Sequence, residues 1–247
     1  MKRKLYMLAT DLDGTLVGDK MALQNLLNYY DKSLPDIALV YITGRHYQSA
    51  LSLIDSEALP RPDILITDLG TAIYTSSLLT LDKDWQKEMY SKWQPNDIIE
   101  ISKDFPSLKR QSLPSTDRIS FTVNNDSKVA RDLGVSLSEK NIPHKLVYSS
   151  NRDVDILPVN SGKGNALIYV LKNFASKEVQ LLVAGDSGND LEMLSLGYPS
   201  VVVGNAQPEL TDIKVHDKLF MATQNYAAGI QEAWVHFYES NNVEVPL

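Results

Sequence analysis

Short apolar runs recur along the chain at Leu5 to Ala9, Ile37 to Ile42, Ile64 to Ile66, Leu181 to Ala184 and Val201 to Val203. Each is bounded by polar or glycine residues, the pattern of strands buried on both faces of a parallel sheet. Helical spacing fills the intervals: Leu23, Leu26, Leu27 and Tyr30; Tyr47, Ala50, Leu51 and Ile54; Leu167, Val170, Leu171 and Phe174. Strand and helix therefore alternate, which predicts an α/β fold with a doubly wound parallel sheet.

The middle of the chain follows a different period. Ile119 to Asn124 and Asp153 to Leu157 alternate apolar with polar residues, as strands do when one face is solvated. A helix is expected from Ser127 to about Lys140, and another from Asp97 to Phe105 after Pro95. These elements predict an antiparallel α+β module at 83–158, inserted into a core domain made of 1–82 and 159–247. Ala227, Ile230, Ala233, Trp234 and Phe237 predict a last helix packed on that core, with a short tail after Glu239 and no further module.

Composition narrows the functional classes. The 247 residues carry a net charge of -7 and no clustered run of Lys and Arg, so a nucleic-acid partner is not expected. Cysteine is absent, which removes thiol chemistry and leaves oxygen and nitrogen groups for any catalysis. No stretch has the length of a membrane span, and the basic Met1 to Lys4 start meets Asp11 too soon for a signal-peptide core. A cytoplasmic protein without a membrane partner is expected.

In an open parallel sheet, ligands collect where the strands' carboxyl ends open into loops. After the first run stands Asp11-Leu12-Asp13-Gly14-Thr15, after the second Thr43-Gly44-Arg45, and after the fourth Gly185-Asp186-Ser187-Gly188-Asn189-Asp190; Lys163 opens the preceding helix. Singly, each has an ordinary reading: a solvated turn for Asp11 and Asp13, a helix cap for Thr43, a surface lysine at 163, a polar turn at 185–190. Together they bring carboxylates for a hard cation and a hydroxyl and ammonium for a phosphate to several strand ends at once.

In these motifs the chain resembles the haloacid dehalogenase superfamily of aspartyl-nucleophile phosphotransferases, over about two thirds of its length. The resemblance implies a C2-type cap at 83–158 and a phosphatase using Asp11 as nucleophile, Asp13 as general acid and base, and Thr43 and Lys163 on the phosphoryl group. It implies Mg²⁺ on Asp11, the backbone carbonyl of Asp13, and Asp186, with Ser187 and Asp190 behind them. Within the superfamily the chain is most similar to the sucrose-phosphate phosphatases, through Leu108-Lys109 with Gln111-Ser112, Asp153-Val154-Asp155, Lys163-Gly164-Asn165-Ala166 and Asn205-Ala206-Gln207-Pro208-Glu209-Leu210. That implies a sugar phosphate, sucrose 6-phosphate first, held by Thr43, Gly44, Lys109, Gln111, Asp155, Lys163, Asn189 and Asn205. Asp153 and Asp155 also read as exposed acids on one strand face, and Arg45 as a structural ion pair or a ligand. A hexose or other disaccharide phosphate, a phosphosugar mutase and a non-catalytic sugar-phosphate binder remain alternatives.

Overall fold

The computed structural model describes residues 1–34, 36–211, 213 and 216–239; the expected tail after Glu239 lies outside them. In chain order the elements are β1 (Tyr6–Thr10), α1 (Lys20–Ser33), β2 (Ala38–Ile42), α2 (Tyr47–Ser56), β3 (Ile64–Thr67), β4 (Ala72–Thr75), β5 (Thr80–Leu81), α3 (Lys83–Tyr90) and α4 (Pro95–Ser102). They continue with β6 (Lys109–Arg110), β7 (Ile119–Thr122), α5 (Ser127–Glu139), β8 (Lys145–Ser149), β9 (Asp153–Leu157), α6 (Lys163–Phe174) and β10 (Gln180–Gly185). Last come α7 (Leu191–Leu194), β11 (Ser200–Val202), α8 (Pro208–Thr211), β12 (Leu219–Met221) and α9 (Tyr226–Trp234), which runs on into a π-type turn, Val235–Glu239.

Two sheets are formed among the described residues. The larger has the order β12-β11-β10-β1-β2-β3-β4-β5; its strands are parallel from β12 to β3, and β4 and β5 add antiparallel. Each apolar run is buried on both faces because its alternate residues enter different layers. Leu8, Tyr41, Leu182 and Val201 pack with α1, α2 and α9, whereas Met7, Val40, Val183 and Val202 pack with α6, α7 and α3. The chain winds outward from β1 to β5 and then returns to β10 on the other side of β1. The crevice between the carboxyl ends of β1 and β10 is thus the topological switch point, where such sheets leave room for a ligand.

The smaller sheet, β6-β7-β9-β8, is antiparallel. Ile119, Phe121, Val154 and Ile156 project from one face onto Ile98, Ile101, Leu133 and Leu137 of α4 and α5. The intervening residues Arg118, Ser120, Asp153 and Asp155 therefore stand on the other face, toward the large sheet, so the period of two sorts helix contacts from site contacts. One boundary shifts. Helix α3 lies within the expected insert, yet Trp85 and Met89 are buried in the core of the large sheet and the Trp85 indole donates to Gly70 O at 3.1 Å. No helix among the described residues is long and apolar enough to cross a membrane.

Candidate active site

Asp11 follows β1 directly, and its backbone N–H donates to Ala184 O of β10 at 3.0 Å, fixing the loop across the switch point. Gly14 must be a glycine: its φ is +83°, and a Cβ there would lie 2.5 Å from Asp186 Oδ2. The Thr15 hydroxyl donates to Asp186 Oδ1 at 3.0 Å. The loops after β1 and β10 thereby come within contact of each other.

Lys163 is not a surface lysine. It is 2% exposed, and its Nζ donates to Asp11 Oδ1 at 2.6 Å and Asp190 Oδ1 at 2.7 Å. The other Asp190 oxygen accepts from the backbone N–H groups of Asp186 and Ser187 at 3.0 and 3.1 Å, and Ser187 and Asp190 close a reciprocal capping box. Asp190 is therefore spent on orienting Lys163 and the loop. At Gly185 an added Cβ would meet Asp190 Cβ at 2.5 Å, so the close packing of this loop depends on that glycine.

Asp11, Asp186 and Asp190 bring carboxylate oxygens within 4.8 Å of one another. Burial pushes the Asp11 carboxyl well above its ordinary range; Lys163 opposes this, and the charges of Asp190 and Asp186 add to it. Asp186 is pushed up to about 7, chiefly by burial and then by Asp190. Burial alone would lower the Lys163 ammonium, but the charges of Asp11 and Asp190 outweigh it and hold the group above its ordinary value. One ammonium thus leaves this all-oxygen cluster with surplus negative charge, the condition that a hard divalent cation relieves.

Thr43 is buried at the end of β2; its backbone N–H donates to Ile66 O at 2.9 Å, and its hydroxyl accepts from Arg45 N at 3.1 Å. Arg45 grips both Asp13 oxygens, at 2.7 and 2.8 Å, and also reaches Ser49 at 2.9 Å. Asp13 contributes no side chain to the carboxylate cluster, leaving its backbone carbonyl as the metal contact implied above.

The residues expected to hold a sugar divide into distinct groups. Gly44, Gln111, Asp155 and Asn189 line one polar cavity of about 410 Å³, with Arg118, Ser149, Arg152 and Asp153. Asn189 Oδ1 is buried without a hydrogen-bond partner among the described residues. Asp155 is no solvated acid: it is buried, and it accepts from Ser120 and from Arg118 Nη1, the latter at 2.9 Å. Lys109 pairs with Thr122 on the same sheet face but is exposed outside the lining. Asn205 fastens loops, donating to Gly14 O and accepting from Tyr226 N, both at 2.7 Å. A larger cavity of about 790 Å³, bordered by Lys4, Asp63 and Phe174, sits where β2 and β3 begin, at the opposite end from these groups; size alone does not mark the chemistry.

Several contributors were not singled out in the sequence. Arg118 donates to Gly44 O at 2.7 Å and lies 3.4 Å from Asp68, so a residue of the small sheet reaches the Thr43 loop. Its signal was parity, since it stands two residues before Ser120 at the start of the alternating run. Asp68 follows the third apolar run as Asp11 follows the first. The turn it opens places Asp68 and Leu69 at φ +51° and +58°, and their N–H groups bond Arg45 O and Thr43 O at 2.9 and 3.1 Å. Lys145 reaches from β8 to Glu192 at 2.7 Å, and Glu192 accepts from Gly164 N at 3.2 Å.

A model of the family "Sucrose-6F-phosphate phosphohydrolase" matches residues 4–238. Sucrose-phosphatase 2 of Nicotiana tabacum is 34% identical over 93% of this chain, which spans 58% of that protein. Mannosylfructose-phosphate phosphatase of Agrobacterium fabrum is 30% identical over 95% of this chain and 98% of its own length. Among solved structures, the sucrose-phosphatase of Synechocystis sp. PCC6803 in complex with sucrose and phosphate superposes with a TM-score of 0.88. That pair is 35% identical over 95% of this chain and 98% of the other.

Proposed function

The chain belongs to the sucrose-6F-phosphate phosphohydrolase family, and from that premise we propose that it hydrolyses a sugar phosphate, sucrose 6-phosphate first, through a phosphorylated Asp11. The observation that carries this reading is the buried Lys163 held between Asp11 and Asp190 at the sheet's switch point. A buried ammonium with two carboxylates is costly to build for stability alone, and it provides fixed positive charge where a phosphoryl group meets a carboxylate nucleophile.

In this mechanism an Asp11 oxygen forms a bond to phosphorus as the bond to the sugar oxygen breaks. The leaving oxygen takes a proton from Asp13, which later removes a proton from the water that hydrolyses the aspartyl phosphate. Arg45 occupies both Asp13 oxygens, so this pair must open before Asp13 can serve either step. Thr43 donates its hydroxyl to the phosphoryl oxygens, and Lys163 offsets their charge. The cluster's oxygen donors and surplus charge suit Mg²⁺, held by Asp11, Asp186 and the Asp13 carbonyl; when bound it screens nucleophile from phosphate and polarises the phosphoryl group.

The polar cavity supports a substrate rich in hydroxyls, with Gln111, Asp153 and the unpartnered Asn189 Oδ1 offering hydrogen bonds. The Agrobacterium relative supports a second reading, a different disaccharide phosphate such as mannosylfructose phosphate. Phosphate release with Mg²⁺ over sucrose 6-phosphate, mannosylfructose phosphate and hexose 6-phosphates tests both. The highest kcat/KM is expected on sucrose 6-phosphate; an isomerised product without free phosphate would instead identify a mutase.

A further inference from the structure

The Asn205 to Leu210 run stood out in the sequence, yet the chemistry above uses none of its side chains. In the fold it bonds two of the catalytic loops, the one that carries Asp11 and the one that carries Asp186. Asn205 donates to Gly14 O in the Asp11 loop at 2.7 Å. Gln207 N donates to the Asp186 carbonyl at 2.7 Å. Glu209 Oε1 accepts from Gly188 N at 2.9 Å and also from Ser150 N at 2.8 Å. Ser150 belongs to the small sheet's hairpin, in the three-residue turn between β8 and β9, where it and Asn151 have φ of +53° and +51°.

We infer that Glu209 is a positioning residue that couples the small sheet to the Asp186–Asp190 loop by sharing one carboxylate oxygen between Ser150 N–H and Gly188 N–H. The inference rests on the catalytic reading given above. Because both donors meet the same oxygen, a displacement of the β8–β9 turn pulls that oxygen away from Gly188 or breaks the bond. Gly188 stands two residues after Asp186 and next to Asn189, which lines the polar cavity. Two further contacts join the small sheet to the other catalytic segments: Arg118 to Gly44 O beside Thr43, and Lys145 to Glu192 beside Lys163. The segments of Thr43, Lys163 and Asp186 are thus each tied to the small sheet, and Glu209 is a tie that ends on the carboxylate loop itself.

The test uses the full chain with Glu209→Ala, which deletes the acceptor, and Glu209→Gln, which keeps an oxygen of the same reach. Amide hydrogen exchange is followed without substrate, and kcat/KM is measured with Mg²⁺ on sucrose 6-phosphate and on p-nitrophenyl phosphate, which has no sugar hydroxyls. Glu209→Ala should exchange about tenfold faster at both 149–152 and 186–190, and should lose about tenfold more kcat/KM on the sugar phosphate than on the aryl phosphate. Glu209→Gln should restore both within about threefold. Faster exchange at 186–190 alone, equal losses on the two substrates, or no loss at all would overturn the coupling. A wild-type protein inactive on sugar phosphates would instead overturn the catalytic reading, and the exchange data would still decide the coupling.

Discussion

Lys163→Met removes the central charge of the site while keeping a side chain of similar length. Both of its ion pairs are short, 2.6 and 2.7 Å, and neither partner carboxylate is more than 7% exposed. Removing one member of a buried pair costs about 3–5 kcal/mol; with m near 3 kcal/mol/M, a 4 kcal/mol loss moves the urea midpoint down by about 1.3 M. The loss depends on pH with a definite sign. Burial and mutual repulsion already raise Asp11 and Asp186 above their ordinary 3.8, and deleting the ammonium raises Asp11 further. A carboxyl with a raised folded-state value binds more protons when folded than when unfolded. Stability therefore falls as pH rises from about 4 through the raised value. In metal-free protein the variant's deficit should be larger at pH 8 than at pH 5, and added Mg²⁺ should recover part of it. Urea titrations at the two pH values measure this directly. A deficit under about 1 kcal/mol at pH 8, or one independent of pH, would refute the account of Lys163 as the cluster's counter-charge. Turnover should fall about 10²- to 10³-fold at saturating substrate.

Asp11→Asn should reduce phosphate release at least about 10⁴-fold with an unchanged circular dichroism spectrum; appreciable residual activity would remove Asp11 as nucleophile. Chelation should abolish activity and Mg²⁺ restore it. Because Asp186 is pushed up to about 7 in the metal-free site and Asp11 is raised as well, apparent Mg²⁺ affinity should fall at least about tenfold per pH unit below 7, and calorimetric titration at pH 6 and 8 checks the slope. Arg118→Ala leaves Asp155 buried without its guanidinium and frees Gly44 O; a stability loss of about 3 kcal/mol and a raised KM for sugar phosphate are expected, read from urea midpoints and initial rates.

The layers of this fold were legible because burial on both faces is a local pattern: five apolar runs became parallel strands, each shifted by no more than a residue or so. The same holds for β7 and β9, whose alternation fixed which residues meet α4 and α5 and which face the site. What was less legible were short elements such as β5, β6 and α8, with too few residues to carry a period. Helix α3 was assigned to the insert by position, but Trp85 and Met89 attach it to the large sheet.

The candidate site divides along the same line. That Asp11, Thr43 and Asp186 stand at strand ends follows from the sequence alone, since an apolar run followed by a polar loop says where the strand stops. Nothing local says that Lys163 is buried between carboxylates 152 and 27 positions away, that Arg118 reaches Gly44, or that Asn205 and Glu209 fasten loops where a sugar contact was expected of Asn205. Those are contacts between segments remote in the chain. The order of the strands decides them, because placing β10 beside β1 puts the Asp186 loop against Asp11 and gives each charge the partner that sets its role.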